Sequence, residues 1–513
     1  MVPSSGGRSA AARPPPPLKT RSVAGEGKCI VTVFPSTLLE MTEAVGMKGE
    51  LMLSGTTPEQ DSYGDEEASE EGGGESGGGG GGVAAVLGAG NFDAPTEVLC
   101  QMFLKGRTCV YKPNPVNDAS HPVVRRIMAP LVERGYLSFV RGGGEAGSAL
   151  VRHPSVTEVV LTGSVDTYEK VVWGSTPEER IQNREADAPV LGAGTSVCAE
   201  LGAVNPWIVV PGPSWDDRSI DDHARHLAFA KLANNGHTCA APQIVLTSRE
   251  WSHRESFLDR LRHWLGEYGG SAPFYPGSGE VHSSFLRRDA RGKYGAECIA
   301  GRRIDAFDGQ QRPILMTGVE AEVGGDAEKV HNDILRKEAF CPVLAEVPLD
   351  VPRSSSGCSG DADGDDPMAF LRAATSFARS NIFGSLTAAV SIDDRTARRH
   401  SVEFDRIVAE DMPYGVVGIN VWPLFAHSMP QMVWGSHPSR TDSGRGGFVG
   451  NAGMYRNAEK GVLRAPFRHL GRGVATVMDP VKTEKVYRRL SKYKLRPTIM
   501  TQMALLSALF LDL

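Results

Sequence analysis

Short apolar runs rich in β-branched side chains, each about four to eight residues long, alternate with helix-spaced segments along most of this chain. CIVTVF (29–34), VAAVLGAG (83–90), TCVYKP, LSFVRGG and TEVVLTGS read as strands. Residues 95–105, 120–135, GSALVRHP and 166–173 read as helices. After Glu200 the alternation resumes with PWIVVPG, a helix over 221–234, PQIVLTS and a helix over 252–268. Apolar strands separated by helices cannot be hairpins. They call for βαβ units, in which a parallel sheet has both faces covered. Right-handed crossovers then bring the strand C-termini, and any ligand, to one edge. The expected class is α/β. The length of 513 residues calls for two or three domains.

Hydrophobic residues are 41% of the chain and charged residues 23%, which is ordinary globular usage. The net charge of −6, with the basic residues scattered, excludes an electrostatic nucleic-acid partner. No apolar run is long enough to span a bilayer, so a membrane-spanning protein is not expected. The most apolar stretch, 503–513, reads as a buried strand or a subunit contact. Eight cysteines without a CxxC pair or metal-ligand spacing read as reduced thiols of an intracellular, cytoplasmic protein with no metal site. The first 25 residues contain basic residues but no acid, which leaves organelle targeting open. The PPPP run there breaks any amphipathic helix, so a disordered tail is the expectation for 1–27. The Gly-rich, acidic stretch 55–82 and the polar stretch 354–366 read as insertions that cannot bury a core.

Five local patterns carry possible chemistry. Asn234-Asn235-Gly236-His237-Thr238-Cys239 places a polar turn and a cysteine between a helix and an apolar strand. Turn or helix-end N–H groups can lower a thiol's pKa and so favour the nucleophilic thiolate, although a lone cysteine is more often a small buried hydrophobe. Glu200, on a Gly-containing turn, is a general base if burial raises its pKa, and otherwise a solvated turn residue. Gly88-Ala89-Gly90-Asn91 ends a strand where an amide can donate to an oxyanion, or where Gly and Asn simply make a turn. Lys112 at a strand end suits a ribose or phosphate, or is a surface charge. Gly163-Ser164 joins strand to helix, where free N–H groups favour a phosphate.

It is the order of the motifs that makes them specific. The succession GAGNF, YKPNP, RGGGEAGSALVRHP, LTGS, ELGAVNP, NNGHTC, KEAFCPVLAEV, FGSLTAAVSI, YGVVGINVWP and SGRGGF resembles the aldehyde dehydrogenase superfamily from about residue 83 to 450. A bacterial-type branch with WGSHP and VLRAPFR-like stretches is the most similar. The resemblance implies a Rossmann-type cofactor domain (28–203), an α/β catalytic domain (204–448) and a C-terminal return and oligomerisation segment (449–513). It implies NAD or NADP as cofactor, a small aldehyde as substrate, and a homodimer or homotetramer paired through a C-terminal strand, for which 495–511 is the candidate. Cys239 would be the nucleophile, Asn91 an oxyanion donor and Glu200 the base that activates the deacylating water. Lys112 would hold the adenosine ribose, Gly163 and Ser164 the pyrophosphate, and Glu338 the nicotinamide ribose, with Phe340 beside it.

Four departures from the family pattern bear on this expectation. Pro115 stands where an acid is usual, which removes a carboxylate that would prefer a free ribose 2′-hydroxyl. Tyr168 replaces a glycine, so a phenol is expected to crowd the pyrophosphate. Cys341 puts a second thiol near the ribose. The short region ahead of Asn91 suggests a missing N-terminal layer. Two alternatives to the dehydrogenase follow: a related scaffold without redox chemistry, and an acyl-thioester reductase, which would have no use for Glu200.

Overall fold

Two sheets organise the chain, and the split falls between residues 201 and 205. The computed structural model describes residues 19–23, 27–35, 46–55, 81–91, 96–273, 275–288, 296–299, 311–320, 334–351, 366–429, 431–439, 444–445, 457–468, 480–496 and 498–510. The insertion expected at 354–366 falls, but for its last residue, outside these residues, as does nearly all of 55–82.

The N-terminal strands β1 (Lys19–Val23), β2 (Lys28–Phe34) and β3 (Lys48–Ser54) form an antiparallel meander. Residues 19–23 are therefore a strand, which corrects the tail expectation over that stretch. The meander also does not open the cofactor-side sheet, as the 28–203 boundary implied. It joins the other sheet by pairing β3 with β17 (Ala458–Arg464), some four hundred residues away in sequence.

The smaller sheet contains β4 (Val83–Leu87), β5 (Thr108–Lys112), β6 (Leu137–Phe139), β7 (Val156–Gly163) and β8 (Ser196–Leu201), all parallel. Its spatial order is β8-β7-β4-β5-β6. Relabelled from its own first strand this is 5-4-1-2-3, a doubly wound order whose direction reverses between β4 and β7. Ligands bind at such a switch point, outside the strand C-termini. Among the described residues the five parallel strands form one continuous layer. Helices Thr96–Phe103, Gly144–Val151 and Val165–Trp173 cross between these strands. The stretch 120–135 is two short helices, His121–Ile127 and Ala129–Val132, separated at Met128 just ahead of Pro130.

The larger sheet has eleven strands. Its parallel centre includes β9 (Asn205–Val209), β10 (Pro242–Ser248), β13 (Val343–Leu349), β14 (Thr387–Ser391) and β15 (Val416–Ile419). The strand β12 (Ile314–Met316) flanks β13, and β11 (Glu297–Cys298) closes that edge. Every residue of β9, β10, β14 and β15 is buried, which is why these segments are apolar without alternation. One charge inside this layer is fully matched. Glu346 on β13 is 0% exposed and accepts from Arg254 Nε (2.8 Å) and Nη2 (2.9 Å), from Gly318 N (2.7 Å) and from the Thr247 hydroxyl.

The C-terminal stretch is not a strand. Pro480–Leu495 and Ile499–Phe510 form a helical hairpin closed by Val486, Tyr493, Leu505 and Ala508. The segment 499–510 is rich in Met, Ala, Leu and Gln, and these helix formers override its apolar, strand-like reading. No helix among the described residues is long and apolar enough to cross a membrane.

Candidate active site

The nucleophile loop is shaped by three consecutive left-handed residues. The helix Asp217–Leu232 stops, and Asn234 (φ 55), Asn235 (φ 54) and Gly236 (φ 75) reverse the chain. Asparagine tolerates this region better than other side chains do, and Gly236 is obligatory. A Cβ there would lie 2.6–2.7 Å from the Cys341 carbonyl group. The reversal delivers Cys239 to the N-terminal end of β10. Three further contacts hold it. Asn205 Nδ2 donates to the Cys239 carbonyl (2.7 Å) and the Ala241 carbonyl (3.1 Å). Trp422 Nε1 donates to the Ala240 carbonyl (2.8 Å). His237 bonds Ser278 Oγ through Nε2 (2.8 Å), and Ser278 is joined to Gln311 and through it to Asn235.

Glu200 is the penultimate residue of β8, with 4% exposure. It is not on a solvated turn. The strand β16 (Gly444–Arg445) pairs antiparallel with β8, with Gly444 opposite Glu200. Trp434 Nε1 donates to Glu200 Oε2 at 3.1 Å, whereas Oε1 is buried without a hydrogen-bond partner among the described residues. Burial pushes the carboxyl up to about 7, against the lowering contacts of Cys239 and Trp434. Glu338 accepts from the Ala203 N–H, and burial raises it to about 8; Lys231 opposes that rise and Glu200 adds to it. The two carboxyls interact, so their titrations belong to the pair.

Cys239 departs from the expectation of a depressed pKa. It follows a helix C-terminus, not an N-terminus, and it faces two carboxyls. Burial, Glu200 and Glu338 together push the thiol well up, and the Ala240 N–H only partly offsets them.

Two adjoining cavities lie at the switch point. The smaller, about 260 Å³, is lined by Cys239, Glu200 and Asn91 together with Glu338, Phe340, Gly163 and Ser164. The larger, about 840 Å³, is lined by Lys112, Gly163 and Ser164, by the start of helix Gly144–Val151, and by Arg152 and Lys170. All eight residues singled out by motif therefore line one cavity or the other. Ser164 caps helix Val165–Trp173, its Oγ accepting from Thr167 N at 3.1 Å, so the first-turn N–H groups of that helix open on the cavities. Lys112 is 9% exposed, and burial lowers its pKa against the pull of Asp118.

Two of the departures resolve differently from expectation. Tyr168 points into the core with Val159, Leu161 and Val172 and lines neither cavity. Cys341 is 0% exposed in the main core, where burial raises it to about 11, and it lines neither cavity. Asn114, the residue before Pro115, lines the larger cavity.

Comparison with known proteins agrees with this arrangement. Residues 82–268, which carry Asn91, Lys112, Ser164, Glu200 and Cys239, match the family model described as the aldehyde dehydrogenase family. In sequence and in fold the chain is similar to aldehyde dehydrogenases. It is 26% identical over 368 residues to the 3,6-anhydro-alpha-L-galactose dehydrogenase of Streptomyces coelicolor, an alignment covering 69% of this chain and 62% of that protein. It is 28% identical over 165 residues to the D-glyceraldehyde dehydrogenase (NADP(+)) of Thermoplasma acidophilum, covering 31% of this chain and 29% of the relative. The chain thus spans less than two thirds of the length of either relative. A mutant of aldehyde dehydrogenase C from Pseudomonas syringae, solved with NAD+ and octanal, superposes with a TM-score of 0.52 at 18% identity over 75% of this chain and 69% of that one.

Four further residues complete the site. Trp434, Asn205, His237 and Tyr275 each act on or beside a motif residue. Asn205, His237 and Trp434 stand inside quoted motifs and Tyr275 does not, and nothing in the local pattern marks their partners.

Proposed function

We propose that the protein oxidises an aldehyde to a carboxylic acid, using Cys239 as nucleophile, Asn91 and the Cys239 N–H as oxyanion donors, and Glu200 as base. The observation that carries the reading is that Cys239, Glu200 and Asn91 line one cavity that opens, across the Thr162–Ser164 turn, on a second cavity suited to a dinucleotide. The fit of a dinucleotide rests on donor chemistry. Lys112, the helix N-terminus at Ser164 and the basic Arg152 and Lys170 suit phosphates, and the buried Thr162 Oγ1 between the two cavities has no hydrogen-bond partner among the described residues. Lys112 would hold the adenosine end, Gly163 and Ser164 the pyrophosphate, and Glu338 and Phe340 the nicotinamide end. When bound, NAD or NADP would supply the hydride acceptor.

The chain's own steps are proton transfers and covalent catalysis. Glu200 takes the thiol proton, and the Cys239 sulfur attacks the carbonyl carbon. The two N–H donors hold the resulting alkoxide, each worth about 3 kcal/mol of barrier. After oxidation the acyl group is a thioester on Cys239. Glu200, having passed the thiol proton to solvent and so again a carboxylate, deprotonates a water that attacks it, and the acid leaves as the sulfur is released and takes up that proton. A base placed for hydrolysis disfavours the acyl-thioester reductase. Tyr168, packed in the core, counts against the non-redox scaffold. The absent acid at Pro115 supports acceptance of NADP as well as NAD.

The test is formation of reduced cofactor from a panel of aldehydes with NAD and with NADP, comparing wild type with Cys239→Ala. Turnover that vanishes in the variant is expected. Folded wild type that turns over no aldehyde with either cofactor refutes the proposal. A homodimer or homotetramer is part of the same reading, supported by the exposed apolar Leu495, Ile499, Met500 and Met503 on the C-terminal hairpin. A monomeric sedimentation profile at working concentration would remove it.

A further inference from the structure

Among the described residues the two cavities share four lining residues: Thr162, Gly163 and Ser164 on one side, and Tyr275 on the other. A molecule extending from Lys112 to Cys239 has to pass between them. Tyr275 is the one aromatic wall of this strait, and it is firmly set. Its ring stacks on His237, with centroids 5.9 Å apart and an interplanar angle of 20°. The edge of Phe340 meets it at 5.1 Å and 77°. At its hydroxyl end it lies against Gly90, where a Cβ would come within 2.6 Å of the ring. Three residues on, Ser278 is bonded to the same His237. The segment 275–278 is therefore fastened to the nucleophile loop, two residues from Cys239.

We infer that Tyr275 is a positioning residue for the nicotinamide end of the dinucleotide, holding it in the strait against the Gly163–Ser164 turn and toward Cys239. The inference rests on the cofactor reading above. An aromatic ring at this point offers a planar base a packing surface, and packing of this kind is ordinarily worth about tenfold in affinity. The same ring contributes nothing at the Lys112 end of the larger cavity. Its loss should weaken recognition of one half of the ligand only. Gly90 belongs to the same device, because any side chain there would drive the Tyr275 ring into the strait.

The experiment is direct binding of the oxidised cofactor and of its base-free counterpart, ADP-ribose or the 2′-phosphate of ADP-ribose, to the full chain by calorimetry. Tyr275→Ala should weaken cofactor binding by about tenfold and leave the base-free ligand within about twofold of wild type. Tyr275→Phe, which keeps the ring, should restore cofactor binding. Gly90→Ala should reproduce the selective loss through displacement of the ring, and it serves as the test if Tyr275→Ala does not fold. Unchanged or tighter cofactor binding in Tyr275→Ala, or an equal loss for both ligands, overturns the inference while leaving the cofactor reading intact. Wild type that binds neither ligand overturns the cofactor reading and this inference with it.

Discussion

Replacing Trp434 by phenylalanine should move the enzyme's pH dependence in one direction and leave the nucleophile in place. Trp434 Nε1 is the N–H donor on Glu200 Oε2, at 3.1 Å, and both residues are buried. A hydrogen bond to a charged acceptor is worth about 1.5–3 kcal/mol, and one pKa unit is about 1.4 kcal/mol. Losing the bond disfavours the carboxylate, so Glu200 should rise from about 7 by roughly one to two units. Only the ionised form can take a proton from the thiol or from water. At neutral pH the active fraction then falls from about a half to a tenth or a hundredth, a loss in kcat of roughly five- to fifty-fold. The loss should be repaired at alkaline pH, because the base is retained and merely titrates later. Glu338 is coupled to Glu200, so the limb belongs to the pair, but it is present in both proteins and cancels in the comparison. The assay is kcat against pH for wild type and Trp434→Phe, with thermal melting as a control for folding. A limb that does not move, or a loss that high pH does not recover, would refute the assignment of Trp434 as the donor that keeps Glu200 ionisable.

Two further outcomes follow from the same site and its frame. Asn91→Ala should lower kcat by about a hundred- to a thousandfold with little change in aldehyde KM, since an oxyanion donor acts after the carbonyl is attacked; steady-state kinetics showing a purely KM effect would contradict that role. Arg254→Ala should destabilise the fold by about 3–5 kcal/mol, because Glu346 is left charged and buried without its bidentate partner; a melting temperature within a degree or two of wild type would show that the pair contributes little.

The features legible in the sequence are those set by local chemistry. The buried parallel strands β4, β7, β9 and β10 announce themselves as continuous apolar runs because both their faces are covered. The NNG turn before His237 is legible because few residues other than Asn and Gly accept three left-handed positions in succession. The motif residues stand out through their order along the chain, and the fold brings all eight to two adjoining cavities. The C-terminal helix reads as a strand because a short apolar run has no period that separates strand from buried helix. The meander at 19–54 cannot be placed from sequence because its neighbour in the sheet is β17, and no local pattern announces a partner at that sequence separation.

The residues that are not legible share a physical reason. Each controls a titration or a shape through a contact made only in the folded chain. Trp434 is 234 positions from Glu200, and its indole looks like any core aromatic until the carboxylate arrives beside it. Tyr275 sits in a Pro- and Gly-rich stretch that reads as a surface turn, yet it faces Gly90 across the cleft and His237 beneath it. The raised thiol of Cys239 follows from the same kind of contact. A helix end near a cysteine suggests activation, but the polarity of that end and the charges opposite it decide the direction, and both come from tertiary packing. A nucleophile held neutral until its proton passes to an adjacent base stays unreactive toward stray electrophiles. On the proposed mechanism the coupling of Cys239 to Glu200 would protect the thiol while the site is idle, and the same carboxyl would then activate the hydrolytic water.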